Sequence, residues 1–148
     1  MIPKNPITIG INKSLLDKAL KTLNETYLPN FDIVVTSQYR DKRKNKDVGG
    51  AEDSSHMYGL AADYVLKNRT TGVMLNDSQM ERVFNEFIKP NWPGYTYFSP
   101  TQPHTKTGWI HGNLDRDISK YAGWAAAAGI IAGGAFLFTR LKQQFKKK

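Results

Sequence analysis

Ser54-Ser55-His56-Met57-Tyr58-Gly59-Leu60-Ala61-Ala62-Asp63 is the stretch on which the reading of this 148-residue chain turns. As a pattern it is S-x-H-x-x-G-x-A-x-D. A histidine and an aspartate stand seven positions apart, with a glycine and small residues between them. A second histidine follows in Gly108-Trp109-Ile110-His111. The first histidine falls in a loop, the aspartate on the next expected strand and the second histidine on another, so all three can point at one centre. Two imidazoles and one carboxylate suit a catalytic zinc ion, with the fourth position left to water. The chain has no cysteine, which excludes a disulfide scaffold and a thiolate metal site. Any zinc here must therefore be held by histidine and carboxylate, and His56, Asp63 and His111 are the candidates.

Outward from this stretch the pattern is α+β. Residues 14–27 read as an amphipathic helix, with Ser14 as its N-cap, an apolar face of Leu15, Leu16, Ala19, Leu20, Leu23 and Tyr27, and Pro29 as its stop. Asp32–Ser37 is short and β-branched, as a buried strand would be. Asp41–Ser55 is polar, holds Gly49-Gly50, and reads as a loop with one helical turn. Leu60–Leu66 is a strand carrying Asp63, and Asn68–Gly72 a turn. A helix capped by Asp77 or Ser78 runs through Ile88, with Met80, Val83, Phe84 and Phe87 on one face, and Pro90 and Pro93 close it. Gly94–Phe98 and Trp109–Leu114 are strands joined by the Ser99–Thr107 loop. This order predicts a small domain over residues 1–117 with a mainly antiparallel sheet.

Composition changes after Lys120. Tyr121–Thr139 carries no charge, and Arg140, Lys142 and Lys146–Lys148 follow it. As a helix the segment would extend ~28 Å, close to the hydrocarbon thickness of a bilayer. Residues 118–148 are therefore expected to be a transmembrane helix (about 121–139) with a basic tail. Tyr121 and Trp124 would be its interfacial aromatics, and the tail would lie on the cytoplasmic side. Gly129 and Gly133 form a G-x-x-x-G that permits helix-mediated homo-oligomers. The formal net charge of +8 favours an anionic partner. A membrane-orienting flank accounts for the tail more simply than nucleic acid does, so nucleic acid is not expected as a partner. The cluster Arg40–Asp47 mixes both signs and reads as a solvated loop. Met1–Pro6 does not read as a secretory signal.

Four pieces carry a family resemblance: Val35-Thr36-Ser37-Gln38-Tyr39-Arg40, Val48-Gly49-Gly50-Ala51, Ser54-x-His56-x-x-Gly59-x-Ala61-x-Asp63, and Gly108-Trp109-Ile110-His111. Over roughly residues 12–115 the chain resembles the zinc D-Ala-D-Ala carboxypeptidases and related peptidoglycan endopeptidases, among which bacteriophage lysins are frequent. The resemblance implies an α+β fold shared with the hedgehog signalling domain. It implies zinc at His56, Asp63 and His111. It gives Arg40 the role of holding a substrate carboxylate or an oxyanion, which suits a guanidinium's fixed fork of donors. It sets Ser54 beside the metal, where a loop-capping hydroxyl is the alternative.

One departure stands out. Many relatives place an acidic general base three residues before the last histidine, and here that position is Gly108. Others carry G-[FW]-[VI]-H with an aspartate two residues later, and here that position is Asn113. Asp115 is the leading candidate base if a local bulge brings it into place. Glu52, Asp53 and His104 are the alternatives. The expectation is a membrane-anchored zinc peptidase acting on peptidoglycan stem peptides, in a host inner membrane or a viral membrane, used in lysis or by a virion crossing the wall. The alternative is a catalytically weak peptidoglycan-binding or structural membrane protein of a virion.

Overall fold

The structure, a computed structural model, describes residues 6–123. Contacts divide these into two compact units. One comprises residues 6–18, 39–61 and 114–123, and the other residues 19–38 and 62–113.

The sheet lies in the second unit. Its strands are β1 (Phe31–Ser37), β2 (Ala61–Asn68, whose first residue belongs to the other unit), β3 (Tyr95–Ser99) and β4 (Trp109–Asn113), in the order β1-β2-β4-β3. β1 pairs antiparallel with β2, and its register shifts between Val35 and Ser37. β3 pairs antiparallel with β4 one to one, from Tyr95 with Asn113 to Ser99 with Trp109. β2 is interior to the sheet, and five of its first six residues are buried. β1, expected to be buried, is instead an edge strand of half-exposed residues, with Val35 exposed. A β-branched run specifies a strand but not its rank in the sheet.

α3 (Asp77–Val83) belongs to the same unit and continues through a π-turn, Phe84–Ile88. Its cap is Asn76, one residue before the expected cap. The Asn76 Oδ1 accepts the Gln79 N–H at 2.9 Å and the Gln79 Oε1 accepts the Asn76 N–H at 3.0 Å, a reciprocal capping box. Met80, Val83 and Phe84 are buried as expected. Phe87 is exposed and Ile88 is buried in its place, because the π-turn rotates the last residues out of the 3.6-residue repeat.

α1 (Pro6–Thr22) starts eight residues before the expected Ser14 and continues as a π-turn over Leu23–Tyr27. Proline suits a first helical position, where its missing N–H is not needed. The early turns escaped the apolar pattern because polar Thr8 and Asn12 take inward positions and are 3% and 1% exposed. The Asn12 Nδ2 donates to the Tyr58 carbonyl at 2.8 Å. Tyr27, expected on the apolar face, is 39% exposed.

In the first unit, α2 (Lys42–Asp47) is the helical turn expected in the polar loop. Asp41 caps it by accepting the Lys44 N–H at 2.7 Å. A 3-10 turn spans Ser55–Tyr58, and a second spans Ile118–Tyr121. The Leu114 N–H donates to the Leu60 carbonyl at 2.9 Å, and Leu60, Leu114 and Ile118 are fully buried. Tyr121 is also buried, and its hydroxyl accepts the Asp115 N–H at 2.9 Å. Beyond its first three residues the expected span Tyr121–Thr139 lies outside the described residues, as do Trp124, Gly129, Gly133 and the basic tail. Among the described residues no helix is long and apolar enough to cross a membrane.

Gly59 ends the His56 turn with φ of +73°. A Cβ there would stand 2.9 Å from Lys13 Cγ and 3.1 Å from the Ile9 carbonyl oxygen. Left-handed backbone costs an L residue about 1–2 kcal/mol, so Gly59→Ala is expected to lose at least about that much stability in urea unfolding. An unchanged unfolding midpoint would show that the turn does not need glycine.

Candidate metal centre

His56 sits in the Ser55–Tyr58 turn and is 4% exposed. Its backbone is fixed at both ends. The Ser54 Oγ accepts the His56 N–H at 3.3 Å, and the His56 carbonyl accepts the Arg40 N–H at 3.1 Å. Ser54, through its hydroxyl, and Arg40, through its main-chain N–H, are thus bonded to the His56 backbone. For Ser54 the observed contact is the loop-capping one.

Asp63 and His111 lie on neighbouring strands β2 and β4. The Asp63 Oδ1 is 2.8 Å from the His111 Nδ1, and the two side chains are 14% and 12% exposed. Main-chain carbonyls hold both residues in register. The Thr36 hydroxyl donates to the Asp63 carbonyl at 3.1 Å, and the Thr96 hydroxyl to the His111 carbonyl at 2.6 Å. Tyr97 stacks on the His111 ring, with centroids 4.9 Å apart and planes 20° apart. The His111 Nε2 faces the Asn113 Oδ1 at 3.1 Å. Both imidazole nitrogens therefore face acceptor oxygens.

Asp63 and His111 bring a carboxylate oxygen and an imidazole nitrogen together within one unit, and His56 is the second imidazole of the candidate donor set. Two nitrogens and one carboxylate oxygen make a donor set that fits zinc and leaves a fourth position for water or substrate.

A profile of the Peptidase M15 family matches residues 4–90. The chain belongs to the peptidase M15 family. That is the family of the zinc D-Ala-D-Ala carboxypeptidases, and its members are zinc-dependent peptidases acting on peptides. No curated protein and no solved structure matches the chain. The matched residues include Arg40, Ser54, His56 and Asp63 but stop short of His111, which the sheet order brings beside Asp63.

The two positions at which relatives carry an acid have local explanations. Gly108 has no room for a side chain. A Cβ there would stand 2.6 Å from Asp77 Oδ1 and 2.7 Å from the Ser99 carbonyl oxygen. The Asp77 carboxylate occupies that space, accepting the Thr101 N–H at 2.7 Å and the Gly108 N–H at 3.0 Å. Asp115 is not raised by a bulge, since the β3–β4 ladder is regular and β4 ends at Asn113. The Asp115 Oδ1 accepts the Asp117 N–H at 2.8 Å, and its Oδ2 pairs with the Lys120 ammonium at 2.6 Å. Lys120 first, then the Asp117 N–H, hold the Asp115 carboxyl below the usual carboxylate range.

Among the alternatives, Asp53 is engaged on both oxygens. It accepts the Tyr58 hydroxyl at 2.5 Å and the Arg116 guanidinium at 2.6 Å. That guanidinium also lies 4.7 Å from the centroid of the Tyr58 ring. Glu52 and His104 are exposed.

Sequence reading missed Tyr97, Asp77, Arg116 and the pairing of Asn113. Alternation along β4 puts Asn113 on the His111 face and was the available signal for it. The others depend on chain crossings between residues far apart in sequence.

A cleft of about 310 Å³ opens beside Asp63, lined by Thr36, Val65, Lys106, Thr107, Gly108 and Trp109 among others. Asp77 ties down the loop that walls it. The Thr101 N–H chiefly, with the Thr101 hydroxyl and the Gly108 N–H, lowers the Asp77 pKa. A depressed carboxylate pKa adds stability that is fully present above the unfolded value and is lost as pH falls through the folded one. Amide resonances of Thr101 and Gly108 are therefore expected to titrate together, with a midpoint below the ordinary carboxylate value of about 3.9. They should lose that titration in Asp77→Asn. A midpoint at or above the ordinary value would refute the clamp.

Proposed function

We propose that this chain is a membrane-anchored zinc metallopeptidase that hydrolyses amide bonds in peptidoglycan stem peptides, in bacteriophage lysis or on a virion crossing the wall. The observation that carries this reading is the Asp63–His111 pair at 2.8 Å, with His56 in the S-x-H-x-x-G-x-A-x-D stretch, in a chain of the peptidase M15 family. When bound there, zinc supplies Lewis acidity, making hydroxide available near neutral pH and polarising an amide carbonyl.

The chain's own residues divide the remaining work. His56 and His111 hold the ion as neutral imidazoles and Asp63 as a carboxylate. Arg40, bonded through its N–H to the His56 turn, offers a guanidinium to a substrate carboxylate or to the developing oxyanion. Ser54 keeps the His56 turn closed and borders the bound peptide. Asp115 is the proton acceptor. Lys120 keeps it ionised, the form a base requires, and at the same time lowers its affinity for a proton.

That last point supports a second reading, a protein that binds wall peptide and cuts it slowly or not at all. Gly108 has no space for an acid, residue 113 is an amide, and Asp115 is shared with Lys120.

Digestion of purified peptidoglycan by the full chain separates the two, with products read by mass. Cleavage is expected to vanish on chelation, return with zinc, and be absent in His56→Ala. Asp115→Asn should bind zinc normally while kcat falls about 10²–10⁴-fold, the usual scale of general-base loss. Stoichiometric zinc with no released muropeptide would leave only the binding reading.

The uncharged segment Tyr121–Thr139 and its basic flank support the anchor, with the peptidase domain on the peptidoglycan side and homo-oligomers through Gly129 and Gly133. The full chain is expected to float with liposomes and stay with them in alkaline carbonate. Release by carbonate would rule out a spanning helix.

A further inference from the structure

From the surroundings of His111 we infer that Asn113 is a positioning residue for the metal. It holds His111 as the tautomer with its proton on Nε2, so that Nδ1 keeps its lone pair for an ion shared with Asp63. The inference rests on the zinc reading above and adds to it which nitrogen binds and what selects it.

The argument starts from a proton count. A neutral imidazole has one N–H and one lone pair. In this site the Nδ1 faces the Asp63 Oδ1 at 2.8 Å and the Nε2 faces the Asn113 Oδ1 at 3.1 Å. In the neutral form that a metal ion requires, one proton cannot satisfy both oxygens, and one nitrogen would turn a lone pair towards an acceptor. A cation between that nitrogen and that oxygen removes the conflict. The carboxylate, being charged, is the oxygen suited to a cation. The amide oxygen is suited to receive an N–H. Nδ1 therefore goes to the ion and Nε2–H to Asn113.

The ring cannot readily turn over to exchange its nitrogens. Tyr97 is stacked on it at 4.9 Å, and the His111 carbonyl is held by Thr96 at 2.6 Å. Asn113 is itself fixed in place. The buried Trp92 donates its indole N–H to the Asn113 carbonyl at 3.1 Å. The Trp92 ring lies against Gly112, where a Cβ would meet it at 3.0 Å. These anchors use the main chain of residue 113, so its side chain can be changed without removing them. Groups that orient a metal-bound histidine commonly change metal affinity by about 10–100-fold when lost.

The test uses the full chain labelled with 15N at histidine, with zinc affinity read by competition against a chromophoric chelator. In the zinc-loaded wild type, His111 is expected to show a protonated Nε2 and a metal-shifted Nδ1. Asn113→Leu should fold, as judged by circular dichroism, and bind zinc about 10–100-fold more weakly. Asn113→Asp, which also accepts the Nε2–H, should restore the affinity and the same tautomer. If Asn113→Leu is unfolded, the wild-type spectrum and the Asn113→Asp affinity still decide. A wild type that binds zinc through Nε2, or a folded Asn113→Leu with wild-type affinity, overturns the role of Asn113 and leaves the zinc reading standing. A wild type that takes up no zinc overturns both.

Discussion

The adjacency of β2 and β4 is the constraint on which the site depends. Neighbouring strands run about 4.8 Å apart, so residues facing the same way on the two can share a ligand. Asp63 and His111 do so at 2.8 Å. The register that allows this is set by apolar residues. Tyr64 and Leu66 on β2 and Ile110 on β4 are fully buried and alternate with Asp63 and His111. Slipping either strand by one residue would turn its apolar side chains to the cleft and its ligand into the core. The approach of Asp63 to His111 is thus a by-product of hydrophobic register. The chain need not have a metal to specify where these two side chains point.

Much of this was legible in sequence, and the reason is periodicity. The elements were found because apolar residues recur at intervals of 3.6 or 2 along them. What failed was position within the assembly. The start of α1 was hidden because Thr8 and Asn12, both inward, are polar. The Asn12 Nδ2 donates to a carbonyl 46 residues away. β1 was recognised as a strand but not as an edge, since sheet order is decided by the other strands. The three candidate ligands stood out in sequence because chemistry limits metal-ligating residues to a few types, and two of them share one short motif. Asp77, Tyr97 and Arg116 are common residue types whose roles arise from contacts across the fold.

The departures at residues 108 and 113 are physically linked to how the β4 end of the site is built. Asp77 does by hydrogen bonding what a side chain at 108 would obstruct. Its carboxylate takes the Thr101 and Gly108 N–H groups and closes the loop that leads into β4. A carboxylate on residue 108 would compete for the same volume and repel Asp77. The missing acid is therefore a steric consequence of the clamp as well as a chemical absence.

An amide at residue 113 also changes the electrostatics. Two neutral imidazoles and one carboxylate leave a divalent ion with one net positive charge, whereas a second nearby carboxylate would neutralise it. In a site with ligands this enclosed, that surplus is poorly screened and favours anions: hydroxide, a substrate carboxylate or an oxyanion. The same substitution removes a proton acceptor from the side of His111. An amide at residue 113 can accept an N–H but is no base, so on the peptidase reading proton transfer would fall to another group. Asp115 comes two residues later, outside the strand and paired with Lys120. The chain thus separates two tasks that a single aspartate at residue 113 could combine, orienting the ligand and accepting the proton. On the proposed peptidase reading, the balance between cutting and binding would turn on how readily Asp115 gives up Lys120 to take a proton.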